Sequence, residues 1–201
     1  MLEQPTELLV KKILEAPTPQ PWSIQGFGML RLYLSPEIRL HVWDSRFRVP
    51  NVSMIHNHPW DFDSYIVAGE LRQFRYSEVG VNRRDVEGFN ASADDAYFRS
   101  VIKAGPGGGL RDSPIGVYLL RGDEEVYGKG MSYTQHASEI HQSLPVDGTV
   151  TLVTRRFVRK DVDHAQTYWR ANSEWVSAEP RPATAEEVRS FTSLALERWF
   201  K

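Results

Sequence analysis

Short stretches that alternate apolar and polar residues recur along most of this chain, and clusters of Gly, Pro, Asp and Asn separate them. The first two, GMLRLYL and EIRLHVW, flank Ser35 and Pro36 and read as a hairpin; others follow at 52–58, 64–76, 96–103, 116–121, 125–127 and 149–158. Many short strands with turn signals between them predict an all-β sandwich or barrel. Helical spacing is confined to the two ends. Residues 6–15 carry Leu8, Leu9, Ile13 and Leu14 behind Thr6 as an N-cap, and Pro17, Pro19 and Pro21 end the segment. Residues 184–201 begin with a capping box, Thr184 with Glu187, ahead of Val188, Phe191, Leu194, Ala195 and Leu196. The expected organisation is a single domain over 1–201, with a β body at 23–158 and a helix at each end.

Composition narrows the functions. Lys and Arg number 24 against 26 Asp and Glu, so the basic excess of a phosphate-backbone binder is missing and no nucleic-acid partner is expected. The chain has no Cys, which removes thiolate metal sites, disulfides and a cysteine nucleophile together. No apolar run approaches the roughly 18 residues of a membrane span, and the N-terminus lacks a signal-type apolar core. The expectation is a cytoplasmic protein without a membrane partner, although a Cys-free chain also tolerates an oxidising compartment. Residues 78–95 read as a polar loop. The stretch AGPGGGLRDSP lacks the Lys and Ser/Thr of a phosphate loop and reads as a flexible turn.

Any metal must therefore be held by histidine and carboxylate. Histidines stand at 41, 56, 58, 136, 141 and 164. On a strand, His56 and His58 share a face, so both imidazoles can reach one ion; the plain alternative is a polar pair ahead of a turn. The segment HNHPWDFDSYIVAGEL, residues 56–71, resembles the first motif of the cupin superfamily, G(X)5HXH(X)3–4E(X)6G, with Gly69 at the closing glycine. The second motif, G(X)5PXG(X)2H(X)3N, is similar to GMSYTQHASEIHQSLP, with Gly130 at its start and His141 at its histidine. The matches cover roughly residues 50–158 and imply a cupin-like jelly-roll barrel with metal ligands His56, His58 and His141. Pro50, His136, Ser138 and Pro145 depart from the pattern, and Phe62 stands where the family has a glutamate ligand. Alternation sends Phe62, Ser64 and Ile66 to one face and Asp61, Asp63 and Tyr65 to the other, so three histidines are the expected set; a bulge that re-aims Asp61 or Asp63 is the alternative.

Three neutral imidazoles leave the full charge on a divalent transition metal and keep positions open for ligand. Iron(II) is the expected ion, with zinc, nickel, manganese and copper as alternatives. The resemblance implies a dioxygenase acting on a small anionic molecule; the rivals are an isomerase or lyase using Lewis-acid chemistry, and a non-catalytic sensor. His136 is a candidate general acid or outer partner of the metal ligands, against the reading of a loop histidine. Of the adjacent Arg155 and Arg156, one faces inward if their strand lines the barrel, where it would bind a substrate carboxylate; a solvated strand end is the competing placement. His41 and His164 read as structural or solvent-facing, and Trp60, Tyr65, Tyr76 and Tyr133 as packing. Edge strands of an open jelly roll make a homodimer the expected assembly.

Overall fold

A computed structural model of the protein describes residues 5–17, 20–79, 89–103, 109–158 and 165–199. The chain runs through α1 (Pro5–Glu15), β1 (Ser23–Gln25), β2 (Phe27–Tyr33), β3 (Ile38–Arg48), β4 (Ile55–His56), β5 (Trp60–Ala68), β6 (Glu70–Val79) and β7 (Ala96–Lys103). It continues with β8 (Gly109–Leu110), β9 (Ile115–Gly128), β10 (Ser132–Gln135), β11 (Ile140–Pro145), β12 (Val150–Val158), β13 (Gln166–Arg170), β14 (Arg181–Pro182) and α2 (Ala185–Trp199). Two antiparallel sheets result, ordered β10-β5-β12-β3-β2-β1-β14 and β13-β4-β11-β6-β9-β7-β8. This is an all-β, cupin-like jelly-roll barrel, and α1 and α2 are the two helices among the described residues. Neither helix is long and apolar enough to cross a membrane.

The expected hairpin forms between β2 and β3, with Leu30 opposite Val42 and Arg31 opposite His41. Because paired residues in a sheet share a face, that register sorts the first sheet into two surfaces. Leu30, Leu32, Leu40, Val42 and Val150 face outward from the barrel and pack with Val10 and Leu14 of α1 and with Val188, Phe191, Ala195 and Trp199 of α2. The reciprocal cap of α2 is present: Thr184 N–H donates to Glu187 Oε2 at 2.8 Å and Glu187 N–H to Thr184 Oγ1 at 3.2 Å. The opposite face, which lines the interior, carries Arg31, Arg39, His41, Phe62, Ser64, Ile66, Thr151, Val153 and Arg155. Such a polar inner wall is a poor hydrophobic core and a good candidate for a site.

Several strand boundaries differ from expectation, each for a local reason. The run at 64–76 is divided at Gly69, whose φ of +82° turns β5 into β6, and a Cβ there would stand 2.5 Å from Thr149 Oγ1. The segments 116–121 and 125–127 are one strand, β9. The Gly122–Asp123 pair that reads as a break instead forms a bulge opposite Arg75, where the register shifts between Phe74 and Tyr76. The expected strand at 52–58 shortens to β4. β13 pairs with both β4 and β7, so β13-β4-β11-β6-β9-β7 closes into a ring around Ile55, Tyr97, Val117, Leu119, Ile140 and Tyr168. The predicted loop 78–95 begins later, because β6 runs to Val79, and its residues 80–88 lie outside the described residues. So do residues 104–108 of the glycine-rich stretch, and His164; Gly109 and Leu110 pair with β7 as β8.

Candidate metal centre

β4 and β11 are neighbours, and His56 stands directly opposite His141. His58 follows two residues later in the connection to β5, where Ser138 N–H donates to the His58 carbonyl at 3.0 Å. Between them, Asn57 points away and is tied to β13: its Oδ1 accepts from Gln166 N–H at 2.7 Å and its amide donates to Gln166 Oε1 at 3.1 Å. This anchor aims His56 and His58 to the same side. One ring nitrogen from each of His56, His58 and His141 lies within 4.8 Å of the others. Three nitrogens at ~2.1 Å from one ion stand about 3 to 3.4 Å apart, so modest ring rotations suffice to hold an ion.

The rings are held from several sides. Phe27 stacks on His56 with centroids 5.4 Å apart and an 8° tilt. Trp60 lies 4.3 Å from His58, and Phe62 meets the same ring edge-on at 5.4 Å. His56 Nδ1–H donates to the Met54 carbonyl at 2.9 Å, which leaves Nε2 as the ligand atom. His141 is buried, and its Nε2 has no hydrogen-bond partner among the described residues. Burial lowers the pKa of His56; burial and the neighbouring imidazoles hold His58 and His141 well below the ordinary histidine value. Neutral imidazoles are the form a divalent ion requires, and three ring nitrogens in reach of one point fit one.

Behind His141 runs a buried chain of amides that no periodicity in the sequence marks. Gln73 Nε2 lies 2.9 Å from His141 Nδ1 and donates to Gln135 Oε1 at 2.8 Å, while Gln73 Oε1 accepts from Ser143 Oγ at 2.7 Å. In that orientation Nδ1 accepts and the ring proton sits on Nε2. An ion at Nε2 needs the reverse, Nδ1–H donating to an oxygen, which a half-turn of the Gln73 amide supplies only when the Gln135 amide, whose Oε1 faces the same Gln73 nitrogen, turns with it. Gln73→Leu removes that acceptor and is expected to weaken metal binding about tenfold or more, read by competition with a chelator whose affinity is known. An unchanged affinity would show that Gln73 does not orient the ligand.

Phe62 faces the cluster at the position where the motif has its glutamate, 6.1 Å from the His141 ring. Asp61 and Asp63 face outward, as strand alternation requires. Asp61 Oδ1 accepts from Ala137 N–H at 2.6 Å, and Asp63 pairs with Thr134 Oγ1 and Arg156. His136 lies apart from the three histidines: its side chain is 63% exposed, and its Nδ1 is 4.0 Å from Asp61 Oδ2. Arg155, opposite Phe62 on β12, faces the interior, and Arg156 faces out. Ser138 keeps the turn of the second motif without its glycine, at φ +69°.

The strand order, with paired histidines entering β5 and a third on β11, gives a two-sheet β-barrel with a three-histidine cluster, the arrangement that the resemblance of the two sequence motifs to cupins implies. Two solved structures are similar in part: a cobalt(II) form of HppE in complex with its substrate, at 13% identity and a TM-score of 0.31, over 70% of this chain and 55% of that one; and hydroquinone 1,2-dioxygenase from Sphingomonas sp. TTNP3 with 4-hydroxybenzoate bound, at 11% identity and 0.29, over 62% and 64%. The chain therefore spans less than two thirds of either protein's length. No protein-family model matches the chain. No curated protein matches it either.

Proposed function

We propose that the protein is a mononuclear non-haem dioxygenase that holds iron(II) through His56, His58 and His141 and acts on a small anionic molecule. The observation that carries this reading is the convergence of three neutral imidazoles with Phe62, not a carboxylate, beside them. A divalent ion bound there keeps its full charge and supplies Lewis acidity and open positions for substrate and dioxygen. The chain's own residues do the rest. Phe27, Trp60 and Phe62 fix the rings and limit water at the cluster, and Arg155, on the inner face beside Phe62, binds and orients the substrate's negative group. His136, beside Asp61, would serve proton transfer only from the rim. The reading extends to a cytoplasmic homodimer, for which β10 and β14 offer open sheet edges.

Oxygen consumption by the iron-loaded protein over a panel of small carboxylates and phosphorylated acids tests the reaction. Turnover that requires iron and disappears in His58→Ala supports it. Product formation without oxygen uptake, equally with zinc, would replace it with Lewis-acid isomerase or lyase chemistry.

A further inference from the structure

The inner wall beside His58 holds more positive charge than its surroundings balance. Arg31 and Arg39 both stack on the Tyr33 ring, each with its guanidinium carbon 4.9 Å from the centroid. Arg39 also lies over Trp60 at 4.8 Å, and Trp60 in turn packs on His58. Register brings Arg39 opposite Val153, two residues before the inward Arg155 on the same face of β12. Among the described residues, none of these three arginines has a carboxylate within ion-pair distance. The Nε atoms of Arg31 and Arg39 are buried without hydrogen-bond partners among the described residues. His41 Nε2 and Trp43 Nε1, further along β3 on the same face, are likewise buried and unpartnered, and His41 is only 8% exposed.

Aromatic stacking offsets part of the cost of withdrawing a guanidinium from water, but it satisfies none of these N–H groups. Guanidinium Nε donors buried on adjacent strands without acceptors, with the neutral Trp43 indole N–H further along the same face, are complementary to an anion that brings its own oxygens. We propose that Arg39, flanked by Arg31 and Arg155 and backed by His41 and Trp43, forms an oxyanion subsite that takes a carboxylate or phosphoryl group of the ligand. The inference rests on the reading of the three histidines as the centre where the ligand's other end reacts. It also names the substrate class more closely: a small molecule with one oxyanion set apart from the group that meets the metal.

The test is calorimetric titration of the metal-free full chain with inorganic phosphate and with malonate, at ionic strength held constant with chloride. At least one probe is expected to bind at a single site and to raise the melting temperature. Arg39→Met and Arg155→Met should each weaken that binding tenfold or more, and Arg156→Met, on the outer face, should leave it unchanged. Binding of phosphate alone assigns a phosphoryl group, and of malonate alone a carboxylate. Absence of binding by both, or equal binding by wild type and Arg39→Met, overturns the subsite. Should Arg39→Met fail to fold, the comparison of Arg155→Met with Arg156→Met decides. Because the metal-free protein is used, loss of anion binding and loss of the metal centre are separate results.

Discussion

Lowering the pH of the metal-free protein from 7 to 4 is expected to remove about 3 kcal/mol of folding stability through His41 alone, taking about 1.4 kcal/mol per pH unit below the free histidine value. Burial, reinforced by Arg39 and Arg31, pushes His41 from 6.5 down to about 3. The folded state therefore keeps this ring neutral while the unfolded chain binds a proton. The contribution is fully present above pH 6.5 and is lost progressively as the pH falls toward 3. His56, His58 and His141 are shifted in the same direction and steepen the loss. Urea unfolding at pH 7, 5.5 and 4 measures it. His41→Gln should flatten the slope by close to one proton, and a stability independent of pH over this range would contradict the buried, neutral interior.

That interior was only partly legible in the sequence. The hairpin through Ser35 and Pro36 and the capping box at Thr184 were readable because each is fixed by residues a few positions apart, whereas the alternation at 64–76 ran through Gly69 and only the motif spacing from His56 marked that glycine. The alternation that put Phe62 on one face and Asp61 and Asp63 on the other also sufficed to separate the packing residue from the carboxylates. His41 reads as structural or solvent-facing from its strand alone, since a period of two sorts residues into two faces without saying which face is inside. Arg31 and Arg39 alternate with leucines in both hairpin strands; the leucines turned out to pack against the helices, which left the arginines in the barrel. The ring closed by β13 and β7, and the amide chain from His141 through Gln73 to Gln135, join residues far apart in the chain, and no local pattern announces such pairings.

Phe62→Ala is expected to destabilise the fold by about 3–5 kcal/mol, the range for truncating a buried aromatic side chain. Phe62 is 5% exposed and packs with Ile66, Leu71, Tyr133 and Val153 as well as against the His58 and His141 rings. Its removal leaves a cavity that strands from both sheets hold open. The side chain offers no ligand atom, so the metal content of the folded variant should stay that of the wild type. Thermal or urea unfolding paired with elemental analysis of the same sample reads both quantities. A stability change under 1 kcal/mol would mean that the cluster is not packed around this ring. Loss of metal from a variant that remains folded would mean that ring packing, beyond the three imidazoles, determines metal affinity.

Metal stoichiometry tests the shared centre of His56, His58 and His141 most directly. Protein prepared without a metal-binding tag and supplied anaerobically with iron(II) should hold about one equivalent after gel filtration, and His58→Ala and His141→Ala should each lose it while remaining folded. Wild-type protein that retains no metal, or variants that retain as much as the wild type, would contradict the account and leave a cupin-like barrel that binds its ligand without a metal.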